Sequence, residues 1–231
     1  MLSFHQDFED SKKEVEYYFR FIEKIESGGV TLTALKDSTD DSIDLELPKI
    51  LKANAFIMLY NLVESTVKNE LWEIFETIKG GNVPYADLKL EIKKVVLLRK
   101  TKFDFKTKDE TVAAQVIQII EKALSDFSEY FPKNKKSIHF EAGNLNIEKI
   151  KDTFKSYGLN PIHKNHDNQE DAFKITLRNR NNLAHGDQTF GDCGRNYSFL
   201  ELNSHKTEIF EYLERSLIEV EDFINNQRYK L

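Results

Sequence analysis

The sequence predicts an all-α protein, a bundle of long helices with an inserted helical lobe and minor β-hairpin elements. Nine glycines and four prolines among 231 residues leave few places for tight turns, roughly half the usual share of about 12%. Apolar residues recur at steps of three and four over three long stretches, the period of a helix face rather than the alternation of a strand. Glycine pairs, Gly28-Gly29 and Gly80-Gly81, follow two of these stretches, where helices end. With 40% hydrophobic and 31% charged residues the chain can bury a core, which excludes wholesale disorder. Residues 1–231 read as one domain, with a lobe at about 84–165.

The first helix is expected over about 3–27, with Ser3 as its cap and Phe4, Phe8, Val15, Phe19 and Ile22 on one stripe. Residues 30–47, rich in Thr, Ser and Asp, read as a loop or small hairpin. The second helix is the most strongly marked. Pro48 suits its first turn, and Phe56, Tyr60, Val63, Val67, Leu71, Ile74 and Ile78 repeat at three and four. At 1.5 Å per residue it should run roughly 45 Å and form the backbone of the fold. Helices follow over about 86–99 and 109–130. Pro132 and the Lys133–Lys136 run mark a surface break, and Ile138 to Phe140 fit a short strand. A short helix is expected near 146–157, ended by Gly158, then an exposed loop over 160–168 and a helix over about 169–184. Gly186, Gly191 and Gly194 predict a looped stretch. The last helix should cover about 203–227, with Leu213, Leu217, Val220 and Ile224 on its buried face.

Several function classes fall away. The lone cysteine, Cys193, makes neither an internal disulfide nor a Cys-rich zinc site. No apolar run approaches the roughly 18 residues a membrane helix needs. The acidic, mixed N-terminus has no signal-peptide pattern, so the expected compartment is the cytoplasm, without membrane association. A net charge of −6 disfavours indiscriminate coating of nucleic acid and leaves room for a local basic site.

Chemistry concentrates in Leu177-Arg178-Asn179-Arg180-Asn181-Asn182-Leu183-Ala184-His185-Gly186-Asp187. Asparagine is a poor interior helix residue, because its amide competes for backbone groups. Three asparagines in four positions therefore spend helix propensity on another purpose. On an ideal helix Arg178, Asn181 and His185 share a stripe, whereas Arg180 lies about 140° from His185. Unwinding before Gly186 would let the His185 ring swing toward Arg180, so both arginines are candidates. Arginine forks onto phosphate oxygens where negative charge develops, and histidine moves protons near neutral pH. RNA brings its own nucleophile, the 2′-hydroxyl. Phosphodiester cleavage by this pair therefore calls for neither metal nor cofactor. Against this stands the ordinary role of Arg and His at a helix end, complementing its dipole.

Arg180-Asn181-Asn182-Leu183-Ala184-His185-Gly186 resembles the R-N-x-x-A-H-G signature of the HEPN superfamily, whose ribonuclease members carry R-x(4–6)-H. Both Arg180 and Arg178 satisfy that spacing to His185. The segments from Asp7-Phe8 to Ile25 and from Ile50 to Thr66 look like those of bacterial HEPN proteins of the RiboL-PSP type. Gly143-Asn144-Leu145-Asn146, with Tyr157-Gly158, is similar to a stretch ahead of the motif in some HEPN-like nucleases. The resemblance implies an up-and-down helical bundle that homodimerises, with two motifs facing across a composite cleft. It implies a metal-independent endoribonuclease of a toxin–antitoxin or phage-defence system, with an antitoxin or defence partner and cyclic-phosphate products. Arg180 and His185 become the catalytic pair and Asn181 their polar support. The alternative is a non-catalytic HEPN-like interaction module or nucleotide-binding regulatory partner.

Other candidates are secondary. Glu64, beside the apolar stripe of the second helix, is placed to pair with the motif arginine, or else is a surface carboxylate. Lys174 and Arg195, with Arg178, are candidate RNA-backbone contacts, as are Lys133, Lys135 and Lys136 further away. His163 and His166 are too few for a metal site. His5, His139 and His205 stand alone. Cys193 reads as a small packed residue, and the many aromatics as core.

Overall fold

The computed structural model describes residues 2–28, 46–98, 117, 131–138, 143–163 and 167–231. Among them it forms seven α-helices and no strand: α1 Ser3–Glu26, α2 Glu46–Gly80, α3 Leu90–Leu98, α4 Ile147–Ser156, α5 Asp167–His185, α6 Phe190–Arg195 and α7 Phe199–Asn225. The all-α expectation holds. The hairpin expected over 30–47 lies almost wholly outside the described residues, as do the helix over about 109–130, apart from Ile117, and most of the strand at 138–140. Much of the lobe at about 84–165 is outside them too.

Helix α2 is the axis of the fold, with α1, α5, α6 and α7 packed against it. All seven residues of its predicted stripe are buried. So are Leu59, Leu62, Thr66, Glu70 and Phe75, because neighbours on several sides widen one stripe to most of the circumference. The α1 stripe is buried as expected, with Ile25 added to it. Lys52 pairs with Glu26 at 2.7 Å and Lys12 with Glu214 at 2.6 Å, tying α1 to α2 and to α7. At the chain end, Lys89 donates its N–H to Tyr229 and Leu231 to Asp87, each at 2.9 Å, fastening the C-terminus to the turn before α3.

Several boundaries differ from expectation, among them that of α3, which starts at Leu90 rather than near residue 86. Ser3 does not cap α1. Leu2 takes that place, and the Ser3 hydroxyl reaches across to Glu73 on α2 at 2.9 Å. Helix α7 starts four residues early, because Ser198 and Glu201 form a reciprocal capping box. The looped stretch after Gly186 contains a helix, α6, capped by the Thr189 side chain. Its glycines mark close approach to α2 rather than a break. A Cβ on Gly194 would lie 1.8 Å from the Lys49 carbonyl oxygen.

Glu70 is wholly buried on α2. The Ser216 hydroxyl of α7 has two oxygen neighbours, Glu70 Oε1 at 2.6 Å and Leu213 O at 2.7 Å. A hydroxyl has one hydrogen, so a protonated Glu70 supplies the second. Burial pushes this carboxyl from 4.5 up to about 8. The unfolded chain therefore loses its proton first as pH rises. Stability should fall between pH 4.5 and about 8, by up to about 1.4 kcal/mol per pH unit. Glu70→Gln keeps a donor for Ser216 and removes the ionisation. Urea melts across that window should slope downward with rising pH for the wild type and much less for the variant. Equal slopes would disprove a protonated Glu70.

Candidate functional site

Helix α5 carries the motif in its last two turns. It remains helical through His185, and Gly186, at φ 75°, ends it. The Asp187 N–H closes back on Asn182 O at 2.9 Å. Because the helix does not unwind before Gly186, the swing of His185 toward Arg180 is not realised. At 100° per residue Lys174, Arg178, Asn181 and His185 fall within about 60° of one another. Of these, Lys174, Arg178 and His185 are exposed and Asn181 is half-buried.

Arg180 leaves that stripe and turns inward. Its guanidinium lies over the Tyr60 ring of α2, 4.5 Å from the centroid, a favourable cation–π contact. Nη1 donates to Asn181 Oδ1 at 2.9 Å and to Gly143 O at 3.5 Å. Asn181 uses its other end as well: Nδ2 donates to Asn144 Oδ1 at 3.4 Å. The Gly143–Leu145 segment is itself held by Tyr60, whose hydroxyl accepts the Leu145 N–H at 3.2 Å. Gly143 makes this pass at φ 95°, a conformation suited to glycine. Burial raises the Tyr60 phenol, opposed by the Leu145 N–H and the Arg180 charge, so the group is a neutral hydroxyl at neutral pH.

Arg178 has a different neighbourhood. Its Nη2 donates to Tyr197 Oη at 3.2 Å, and Asn179 Nδ2 donates to the same oxygen at 2.8 Å. The Tyr197 ring packs edge-on against Phe56, 4.8 Å between centroids. Asn179 is buried, and its Oδ1 accepts from the Cys193 thiol at 3.6 Å. Of the motif asparagines, Asn179 thus docks α6 on α5, and Asn181 sits beside Arg180. Cys193 is fully buried, and burial pushes its thiol up to about 11, so it packs rather than attacks.

The remaining candidates have other partners. Glu64 pairs with Lys68 at 3.3 Å on its own helix, and no ion pair joins it to Arg180 among the described residues. Lys174 pairs with Glu170 one turn back. Arg195 binds Asp192 at 3.3 Å and reaches Glu46 at 4.0 Å, since the close seating of α6 turns it toward the start of α2. Lys135 pairs with Asp7 at 2.8 Å. His163 offers its carbonyl to Arg215, and His166 lies outside the described residues. His205 packs beside Tyr197, 6.4 Å between centroids, and burial lowers its pKa. Among the described residues no three His, Cys, Asp or Glu side chains gather as metal ligands, and no helix is long and apolar enough to cross a membrane.

Sequence reasoning missed Tyr60 and Tyr197. Both carry a ring that packs and a hydroxyl that bonds. Tyr60 was hidden within an apolar stripe, where only its ring fits the pattern. The signal that it had a second task was weak: a phenol in a run of aliphatic residues needs a buried partner.

A family model described as HEPN_MAE_28990-like HEPN matches residues 3–229. No curated protein and no solved structure matches the chain.

Proposed function

The chain belongs to the HEPN_MAE_28990-like HEPN family, and from that premise we propose that it is a metal-independent endoribonuclease of a toxin–antitoxin or phage-defence system. The observation that carries this reading is the treatment of Arg180. Its guanidinium is oriented by Tyr60, Asn181 and Gly143 on the helix that ends in the exposed His185. Among the described residues its hydrogen bonds all run through Nη1. The Nε and Nη2 edge is then available to fork onto a phosphate.

In the proposed reaction the RNA 2′-oxygen attacks the adjacent phosphorus and the bond to the 5′-oxygen breaks. Arg180 stabilises the charge on the non-bridging oxygens. His185 takes the 2′-hydroxyl proton or delivers one to the leaving 5′-oxygen. The products are a 2′,3′-cyclic phosphate and a 5′-hydroxyl. Asn181 holds the arginine, Arg178 and Lys174 contact the RNA backbone, and the protein works in the cytoplasm under the control of an antitoxin or defence partner.

Arg180 and His185 point about 140° apart on one α5, so a single chain does not turn both toward one side, and the proposed site is completed in a homodimer. Light scattering at micromolar concentration should give twice the chain mass of 27.0 kDa. A single-chain mass throughout that range would remove the composite site. The function itself is tested by incubating protein with a mixed RNA pool and EDTA and identifying the fragment ends. Cyclic-phosphate ends support the nuclease; no cutting of any RNA favours the interaction-module reading.

A further inference from the structure

Tyr60 is among the largest fully buried side chains, and it stands on α2, far in sequence from the motif. It touches the site twice. Its ring face carries the Arg180 guanidinium at 4.5 Å, and its hydroxyl takes the Leu145 N–H at 3.2 Å. That second bond holds the strap whose Gly143 carbonyl and Asn144 side chain meet Arg180 and Asn181. One buried side chain therefore meets both the guanidinium itself and the strap that supplies an acceptor to its Nη1.

We propose that Tyr60 is the positioning residue for Arg180: the ring sets the plane of the guanidinium, and the hydroxyl-held strap occupies Nη1, so the opposite edge meets the scissile phosphate. The proposal rests on the nuclease reading for its catalytic consequence, but the placement of Arg180 is measurable without any substrate. A free arginine side chain loses several rotors on fixing its fork, a cost that Tyr60 meets before RNA arrives. The two halves of the device separate by substitution. Tyr60→Phe keeps the ring and frees the strap. Tyr60→Leu removes the plane as well.

The test follows the Arg180 Nε–Hε resonance by NMR, assigned through its loss in Arg180→Lys, together with cleavage kinetics. A proton held near a ring face is displaced by the ring current. The displaced resonance is expected in wild type and Tyr60→Phe and absent from Tyr60→Leu. With RNA, kcat should fall about 100-fold in Tyr60→Leu and about 3- to 10-fold in Tyr60→Phe, with KM changed far less. An undisplaced resonance in the wild type, or wild-type kcat in folded Tyr60→Leu, overturns the proposal. Should Tyr60→Leu not fold, Tyr60→Phe decides. A Leu145 amide shift with reduced kcat supports the strap, and an unchanged amide and rate overturns it. If the wild type cuts no RNA while the resonance behaves as expected, the nuclease reading fails and the positioning of Arg180 by Tyr60 stands.

Discussion

His185→Ala is expected to abolish RNA cleavage by the purified protein, by about 10²- to 10⁴-fold, the usual contribution of a proton-transfer group. The loss should be in kcat, because the imidazole acts on protons in flight more than on bound RNA. The substitution is structurally mild. His185 is exposed in the last turn of α5, and Gly186 ends the helix whatever precedes it. The expected stability change is within about 0.5 kcal/mol, so equal thermal melts make the kinetic comparison clean. EDTA should leave the wild-type rate unchanged. In cells, expression of wild type should slow growth while His185→Ala at equal protein level is tolerated. Equal toxicity of the two forms, or equal cutting, would end the catalytic assignment of His185. Arg180→Lys should lose comparable activity, since an ammonium cannot lie flat on Tyr60 and fork onto phosphate at once.

Gly194→Ala is expected to be among the most destabilising single-methyl additions in the chain, at about 3 kcal/mol or more. The added Cβ would stand 1.8 Å from Lys49 O and 2.6 Å from its carbonyl carbon, both backbone atoms of α2. Neither can rotate away, so α6 has to withdraw. Withdrawal unseats Cys193 from Asn179 and moves the chain leading to Tyr197, the residue that holds Arg178. Gly191→Ala is the control. Its Cβ would meet only the Glu46 carboxylate at 3.1 Å, the end of a flexible side chain. There the gain in helix propensity of about 1 kcal/mol offsets the crowding. Urea denaturation of the two variants should differ by several kcal/mol. Similar stabilities would mean that α6 does not sit against α2 as closely as its glycines allow.

The residues of α5 show how legible the site was. Arg180, Asn181 and His185 stood out because three asparagines in four positions are poor helix formers and because Arg180 and His185 stand at the R-x(4–6)-H spacing. The structure gives two of the asparagines separate tasks, with Asn179 buried and bonded to Tyr197 and Asn181 against Arg180. That division was invisible in the string, where the three look alike. Glu64 shows the reverse. Its place beside the apolar stripe made it a plausible partner for the arginine, yet Lys68 one turn on takes it. A neighbour at i+4 on the same helix is always within reach, whereas a partner on another helix depends on the crossing.

What the sequence determined by itself is what depends on neighbours along the chain. The three- and four-residue spacing of α1, α2 and α7, the end of α1 just before Gly28 and the end of α4 just before Gly158 are all local, and they stand in the structure as the residues dictate. The tertiary structure decided what depends on the surface opposite. It seated α6 against α2, where Gly194 has no side chain to meet the Lys49 carbonyl. It turned Arg180 inward and left Arg178 outward, although a single residue separates them on one helix. It set the Arg180 guanidinium on the face of the Tyr60 ring. Periodicity says which side of a helix is covered; only the packed neighbour supplies the ring, the carbonyl or the strap that covers it.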